Sequence, residues 1–222
     1  MCGRFTQHHN EDEIIERFAV SEVAFEPVPR YNIAPTQYLA AIIAQPDGRL
    51  LTSFRWGLVP RWAKDLKLAA SMINARAETV ADKAAYRTPL QRQRCLIPAD
   101  GWYEWKKTAN GKQPYYFRRR DGGLFAFAGL WDEWKDPATA EPLRTCTIIT
   151  CAANELAAPV HDRMPVVLTP EHEALWLDSK PVGVLALTEL LTPYPADELE
   201  AIPVSRAVNS PSVDSPELIA GI

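Results

Sequence analysis

The chain has 222 residues, 24 Lys and Arg against 28 Asp and Glu, and a formal net charge of −4. Its 47% hydrophobic and 23% charged fractions are those of a folded domain, and they exclude a disordered chain, which buries too little apolar surface to offset its ordering entropy. No apolar run reaches the roughly 18 residues of a membrane span, and the first residues lack the charged-then-apolar order of a secretion signal. Four scattered cysteines, Cys2, Cys95, Cys146 and Cys151, do not make a disulfide scaffold, so a reduced cytoplasmic setting is expected. The charge is uneven. Residues 1–120 hold 19 basic against 12 acidic groups, and residues 121–222 hold 5 against 16. Such blocks are common on solvated surfaces; a basic, arginine-rich first half also permits an anionic ligand.

In chain order, a helix is expected over Glu11–Phe18, with Asn10 as N-cap and Glu13 completing a capping box. The Pro-rich stretch from Glu26 to Thr36 reads as ordered loop. Tyr38–Ala44 and Leu50–Trp56 read as strands around the turn Gln45-Pro-Asp-Gly. Thr79–Tyr86 reads as a short helix. Strands follow over Cys95–Ile97, Gly101–Lys107, Tyr115–Arg119, Leu124–Leu130 and Thr145–Cys151, with Asn110-Gly and Asp121-Gly-Gly as hairpin turns. Pro170–Leu177 and Val182–Leu190 read as helices, and residues 207–222 as a Ser/Pro-marked tail. There is no repeat or linker. A single α+β domain spanning 1–222 and built on antiparallel strands fits this order.

The start, Met1-Cys2-Gly3-Arg4-Phe5, carries the strongest chemical signal. Removal of Met1 in front of a small residue leaves Cys2 with a free α-amine beside its thiol. The amine titrates near ~8 and the thiol near ~8.5, so both nucleophiles are reactive near neutrality, and Arg4 would lower the thiol further if it points the same way. An amine attacks an aldehyde to form an imine, and the adjacent thiolate then closes a thiazolidine ring. Met-Cys-Gly also begins glutamine amidotransferases, and a small second residue is often merely structural. The three residues alone leave these readings open.

Other groups have chemistry to offer. His161, in His-Asp-Arg-Met-Pro, is a proton shuttle by type, though a lone histidine is commonly structural. His8, His9 and His172 read as surface. Strand alternation puts Glu104 on the face opposite Tyr103 and Trp105, where flanking aromatics would desolvate it and raise its pKa; an outward-facing glutamate is the plain alternative. Asn74 and Arg76, two apart, share a side in an extended segment, one suited to orient a nucleophile and the other to bind phosphate. Trp62 and Trp105 offer stacking surfaces for unpaired bases, although most tryptophans are core. Cys146 and Cys151 have no second ligand pair nearby, which argues against zinc there.

Five further segments accompany the start: Tyr31-Asn-Ile-Ala-Pro-Thr-Gln, Ile73-Asn-Ala-Arg-Ala-Glu-Thr, Pro98-Ala-Asp-Gly-Trp-Tyr-Glu-Trp, Ala153-Asn through Val160-His-Asp-Arg-Met-Pro, and Pro203-Val-Ser-Arg-Ala-Val-Asn. In this order they resemble the SRAP (SOS-response-associated peptidase) family of abasic-site processing proteins over nearly the whole chain. The resemblance implies an α+β single domain with a barrel-like mixed sheet and peripheral helices. It implies a sensor or shield of abasic sites in single-stranded DNA that forms a thiazolidine crosslink through Cys2, with lyase side activity and self-removal of Met1. Cys2 would be the nucleophile, helped by Asn74, Glu104 and His161. Arg4, Arg76 and Arg163 would contact phosphates, Pro35 and Trp105 would press on bases, and Thr150 would make a polar contact. No cofactor, metal or membrane is implied, and the expected protein is a cytoplasmic, nucleoid-associated monomer. An N-terminal-nucleophile hydrolase or amidotransferase and a non-covalent single-strand binder are the competing classes.

Overall fold

A computed structural model describes residues 2–178 and 183–222. The first strand, β1 (Phe5–Gln7), leads into α1 (Glu11–Phe18), which starts on the expected capping box: Asn10 accepts the Glu13 N–H at 2.9 Å and Glu13 accepts the Asn10 N–H at 2.8 Å. Then come β2 (Glu22–Val23), β3 (Arg30–Ile33), β4 (Tyr38–Gln45), β5 (Gly48–Trp56) and β6 (Asn74–Arg76). After α2 (Ala84–Arg92) run β7 (Arg94–Ala99), β8 (Gly101–Thr108), β9 (Gly111–Arg119), β10 (Phe125–Lys135) and β11 (Pro142–Ala152). The chain ends through β12 (Arg163–Pro165), β13 (Val167–Leu168), α3 (Pro170–Leu177), α4 (Val184–Glu189) and β14 (Leu199–Pro203). Among the described residues no helix is long and apolar enough to cross a membrane.

Strands β4, β5, β7, β10 and β11 close on one another into a five-stranded barrel. The closing pair, β11 with β5, is parallel, while the other four pairings are antiparallel. Closure removes the exposed edges that an open sheet would have to protect. Beside the barrel lies a second sheet in the order β14-β9-β8-β1-β3. Phe5 joins the two bodies: its ring meets Trp56 edge-on at 5.3 Å and Phe127 at 5.7 Å, and Cys2 belongs to the same main core. The fold is the expected α+β domain.

Several local expectations are corrected. The Pro-rich stretch is not all loop, because Arg30–Ile33 pairs with β1. That strand is short and without alternation, so only its partner reveals it. The helix expected over Thr79–Tyr86 begins at Ala84 instead. The Thr79 carbonyl captures the Asp82 and Lys83 N–H groups at 3.2 and 3.1 Å, which closes a turn ahead of it. The helix then runs through Pro89 for one last turn. Asn110-Gly makes the β8–β9 hairpin, but Asp121-Gly-Gly crosses from the small sheet to the barrel. Of the helix expected over Val182–Leu190, Val184–Glu189 is helical and Val182 lies outside the described residues.

Residues 204–222 pack over the outer face of the small sheet. Val204, Val208 and Leu218 form a second apolar cluster with Tyr103 and Tyr116. Asn32, fully buried, ties the segment down by donating to the carbonyls of Ser210 at 3.0 Å and Val213 at 2.7 Å.

Candidate active site

Cys2 belongs to the main hydrophobic core and is wholly buried. The barrel reaches it through β6, a three-residue strand laid parallel on β11 in the register Asn74 to Ile148 and Arg76 to Thr150. There the Asn74 side chain donates from Nδ2 to the Cys2 carbonyl at 2.8 Å. Its Oδ1 is buried with no hydrogen-bond partner among the described residues. Tyr86, on α2, donates to the Asn74 carbonyl at 3.4 Å and braces the strand from below.

Glu104 enters from β8. Trp102 packs in the main core while Tyr103 and Trp105 belong to the outer cluster, so the alternation expected from the sequence is the one observed. Only 3% of Glu104 is exposed, and burial pushes its carboxyl up to about 7. The same burial pushes the Cys2 thiol above its ordinary value, and the Glu104 charge adds to that rise. The expected lowering of the thiol by the Arg4 side chain is not found: its guanidinium is turned to Asn32 and the Val208 carbonyl, and desolvation of the thiolate dominates. Arg4 assists through its backbone N–H.

His161 sits half-buried on the loop before β12. Its Nδ1 lies 3.0 Å from the Arg163 backbone nitrogen, whose N–H it accepts, and 3.0 Å from Asp162 Oδ1. Burial lowers its pKa, so the neutral form prevails at pH 7. The neighbouring Asp162 raises the proton affinity of Glu104, placing this loop on the Glu104 side of the site. Asn74 thus holds Cys2 by a hydrogen bond, and the charges of Glu104 and Asp162 act on Cys2 and Glu104 respectively.

The expected DNA-contacting residues occupy varied settings. Arg76 is exposed. Arg163 is clasped bidentately by Glu78, at 2.5 and 3.0 Å, and also donates to the Thr150 carbonyl at 2.6 Å. Thr150 is buried, its hydroxyl turned to the Ala75 carbonyl. Arg4 is directed inward, donating to Asn32 Oδ1 at 3.0 Å and to the Val208 carbonyl at 2.7 Å. Trp105 donates from Nε1 to Asn209 Oδ1 at 2.7 Å. Pro35 sits in the turn Ala34–Gln37, where Thr36 adopts φ 73°, a left-handed conformation that is strained for a β-branched residue. Hydrogen bonds from Thr36 N–H to the Trp56 carbonyl and from Trp56 N–H to the Gln37 carbonyl, both 2.9 Å, hold the strained turn in place. Trp62 is 61% exposed on the loop after β5. Sequence reasoning missed Glu78 and Asn209 as partners, although both stand inside the quoted motifs.

The fold carries Cys2 into the main core, where Asn74 of β6 holds its carbonyl. The chain belongs to the SOS response associated peptidase (SRAP) family, whose model matches residues 1–211. It is similar to the abasic site processing protein YoqW of Bacillus subtilis, 49% identical over 222 residues with 99% of each chain covered. The abasic site processing protein YedK of Escherichia coli is 32% identical over 229 residues, again with 99% of each covered. HMCES of Gallus gallus, also an abasic site processing protein, is 37% identical over 87% of this chain and 66% of its own length. A solved structure from Bacteroides thetaiotaomicron superposes with a TM-score of 0.89 over the whole of both chains at 25% identity.

Proposed function

We propose that this chain processes abasic sites in single-stranded DNA by capturing the open-chain sugar aldehyde on Cys2 once Met1 has been removed. Met1 itself lies outside the described residues. The observation that carries the reading is the grip on the second residue: Asn74 holds the Cys2 carbonyl at 2.8 Å, beside a buried carboxyl whose pKa is about 7. Relatives named for abasic-site processing support the substrate class.

The chemistry balances without a cofactor. The freed Cys2 amine adds to the sugar C1′ aldehyde to give a carbinolamine, which loses water to give an imine. The thiol then adds across the C=N bond, sulfur to C1′ and proton to nitrogen, closing the thiazolidine. Glu104, close to half-ionised at neutral pH, relays these protons: its acid form protonates the departing hydroxyl and recovers the proton lost by nitrogen, and its carboxylate form then passes the thiol proton to the nitrogen as sulfur attacks. His161, held neutral by burial, passes a proton to the sugar ring oxygen during opening. Diverting the imine to β-elimination would yield lyase activity. Arg76 and Arg163 hold phosphates flanking the site, the latter after exchanging the Glu78 carboxylate for a phosphate oxygen.

Intact mass spectrometry of Met1-free protein mixed with an abasic oligonucleotide tests this. The expected mass is protein plus oligonucleotide minus one water. Recovery of unmodified protein alone, with the oligonucleotide still carrying its aldehyde, would overturn the proposal.

A further inference from the structure

His8 and His9, which read as surface from the sequence, are half-buried and converge on Asp100 at the seam where β1 meets β8. Asp100 is itself buried. His9 Nδ1 hydrogen-bonds Asp100 Oδ1, and His8 Nε2 lies 3.8 Å from Asp100 Oδ2. The three donor atoms lie within 4.8 Å of one another. We infer that His8, His9 and Asp100 form a binding site for a divalent transition-metal ion of the zinc or cobalt class. Two imidazoles and one carboxylate suit such an ion, and water would complete a tetrahedron. Metal–ligand bonds of about 2.1 Å set donors about 3.4 Å apart in that geometry, close to the 3.8 Å between His8 Nε2 and Asp100 Oδ2.

The site is partly pre-organised. The His8 ring is stacked between His9, at 5.2 Å, and Tyr31, at 5.0 Å, which limits its rotamers. The His8 N–H donates to Asp100 Oδ2 at 2.6 Å and orients the carboxylate, as outer hydrogen bonds do around metal sites. Burial disfavours a charge on His8 itself, but among the described residues Asp100 and Glu13 attract a cation there and Arg118, which opposes it, is itself held by Glu200. A metal here would pin the end of β1 to the start of β8, the strand that carries Glu104.

The test uses tag-free protein stripped with chelator and titrated with cobalt(II), followed by visible absorption, and with zinc, followed by thermal unfolding. One equivalent should bind without a thiolate-to-cobalt charge-transfer band. Zinc at about 100 times its Kd should raise the Tm by about 5–10 °C. His8→Gln/His9→Gln should abolish both signals and Asp100→Asn should weaken them. Cys2→Ala should keep both, which separates this site from chelation by the N-terminal aminothiol. In the wild-type protein, zinc should protect His8 and His9 from carbethoxylation, a readout independent of any variant's folding. No cobalt spectrum at millimolar metal, unchanged binding in the double variant, loss of binding in Cys2→Ala, or unprotected histidines would each overturn the inference.

Discussion

Glu104 and Trp105 are neighbours in the chain, yet they serve two different interiors. On the inner face of β8, Trp102 stacks on Phe117 at 5.0 Å and shares the main core with Cys2, while Glu104 is buried with its carboxyl raised to about 7. Among the described residues, Trp102 Nε1 and Asn74 Oδ1 are buried there without hydrogen-bond partners. The outer face is satisfied. Tyr103 donates to the Tyr31 carbonyl at 2.9 Å, and Trp105 donates to Asn209. Orphaned polar atoms cost free energy in a core and are commonest where function retains them. One strand thus separates two environments by alternation alone: its inner face buries a titratable carboxyl, and its outer face fastens the C-terminal segment.

The largest expected effect falls on the inner face. Cys2→Ala should abolish the covalent adduct with abasic DNA on a denaturing gel while leaving non-covalent strand binding, read by anisotropy, close to wild type. A wild-type yield of adduct would show that Cys2 does not carry the capture. Truncating the aromatics separates the faces by stability. Trp102→Ala should cost about 3–5 kcal/mol in urea unfolding, as deletion of a fully buried aromatic does, and half-buried Trp105→Ala clearly less.

Glu104→Gln should slow adduct formation by about 100-fold, the scale of one general acid–base group. It should also remove the inflection near pH 7 from the rate profile. Stability gives the opposite sign. A carboxyl whose folded pKa is raised contributes stability below its unfolded value near 4.5, and that contribution is lost as pH rises toward about 7. The glutamine variant should therefore gain on wild type between those pH values, by at most about 3 kcal/mol. Equal pH profiles for the two proteins would mean that burial does not govern this carboxyl. The smallest effect belongs to the outer face: Trp105→Phe removes one hydrogen bond to Asn209 and should cost about 1 kcal/mol, with adduct yield unchanged.

Local rules made much of this protein readable. The capping box fixed the start of α1 at Glu11, because Asn10 and Glu13 satisfy each other's backbone N–H within four residues. Alternation placed Glu104 away from Tyr103 and Trp105, since a strand has a period of two whatever surrounds it. The pairing of β1 with β3 and the offset start of α2 were not legible, because each depends on partners distant in sequence or on a backbone hydrogen bond competing with the helix.

The sequence by itself determined which groups are reactive: a second-position thiol beside a future amine, a carboxyl among aromatics, a lone histidine before an arginine. Only the tertiary structure decided their state. Burial raised the Cys2 thiol and the Glu104 carboxyl, because desolvation disfavours a charge by an amount that depends on packing from β1, β6 and β8 at once. It also decided which arginines are open. Arg4, Arg76 and Arg163 are equivalent as letters, but Arg4 is directed inward to Asn32 and Val208, Arg163 is clasped by Glu78, and Arg76 alone of the three is exposed. A guanidinium's availability is set by which acceptors the fold brings within about 3 Å of it, and those acceptors lie 28, 204 and 85 positions away along the chain.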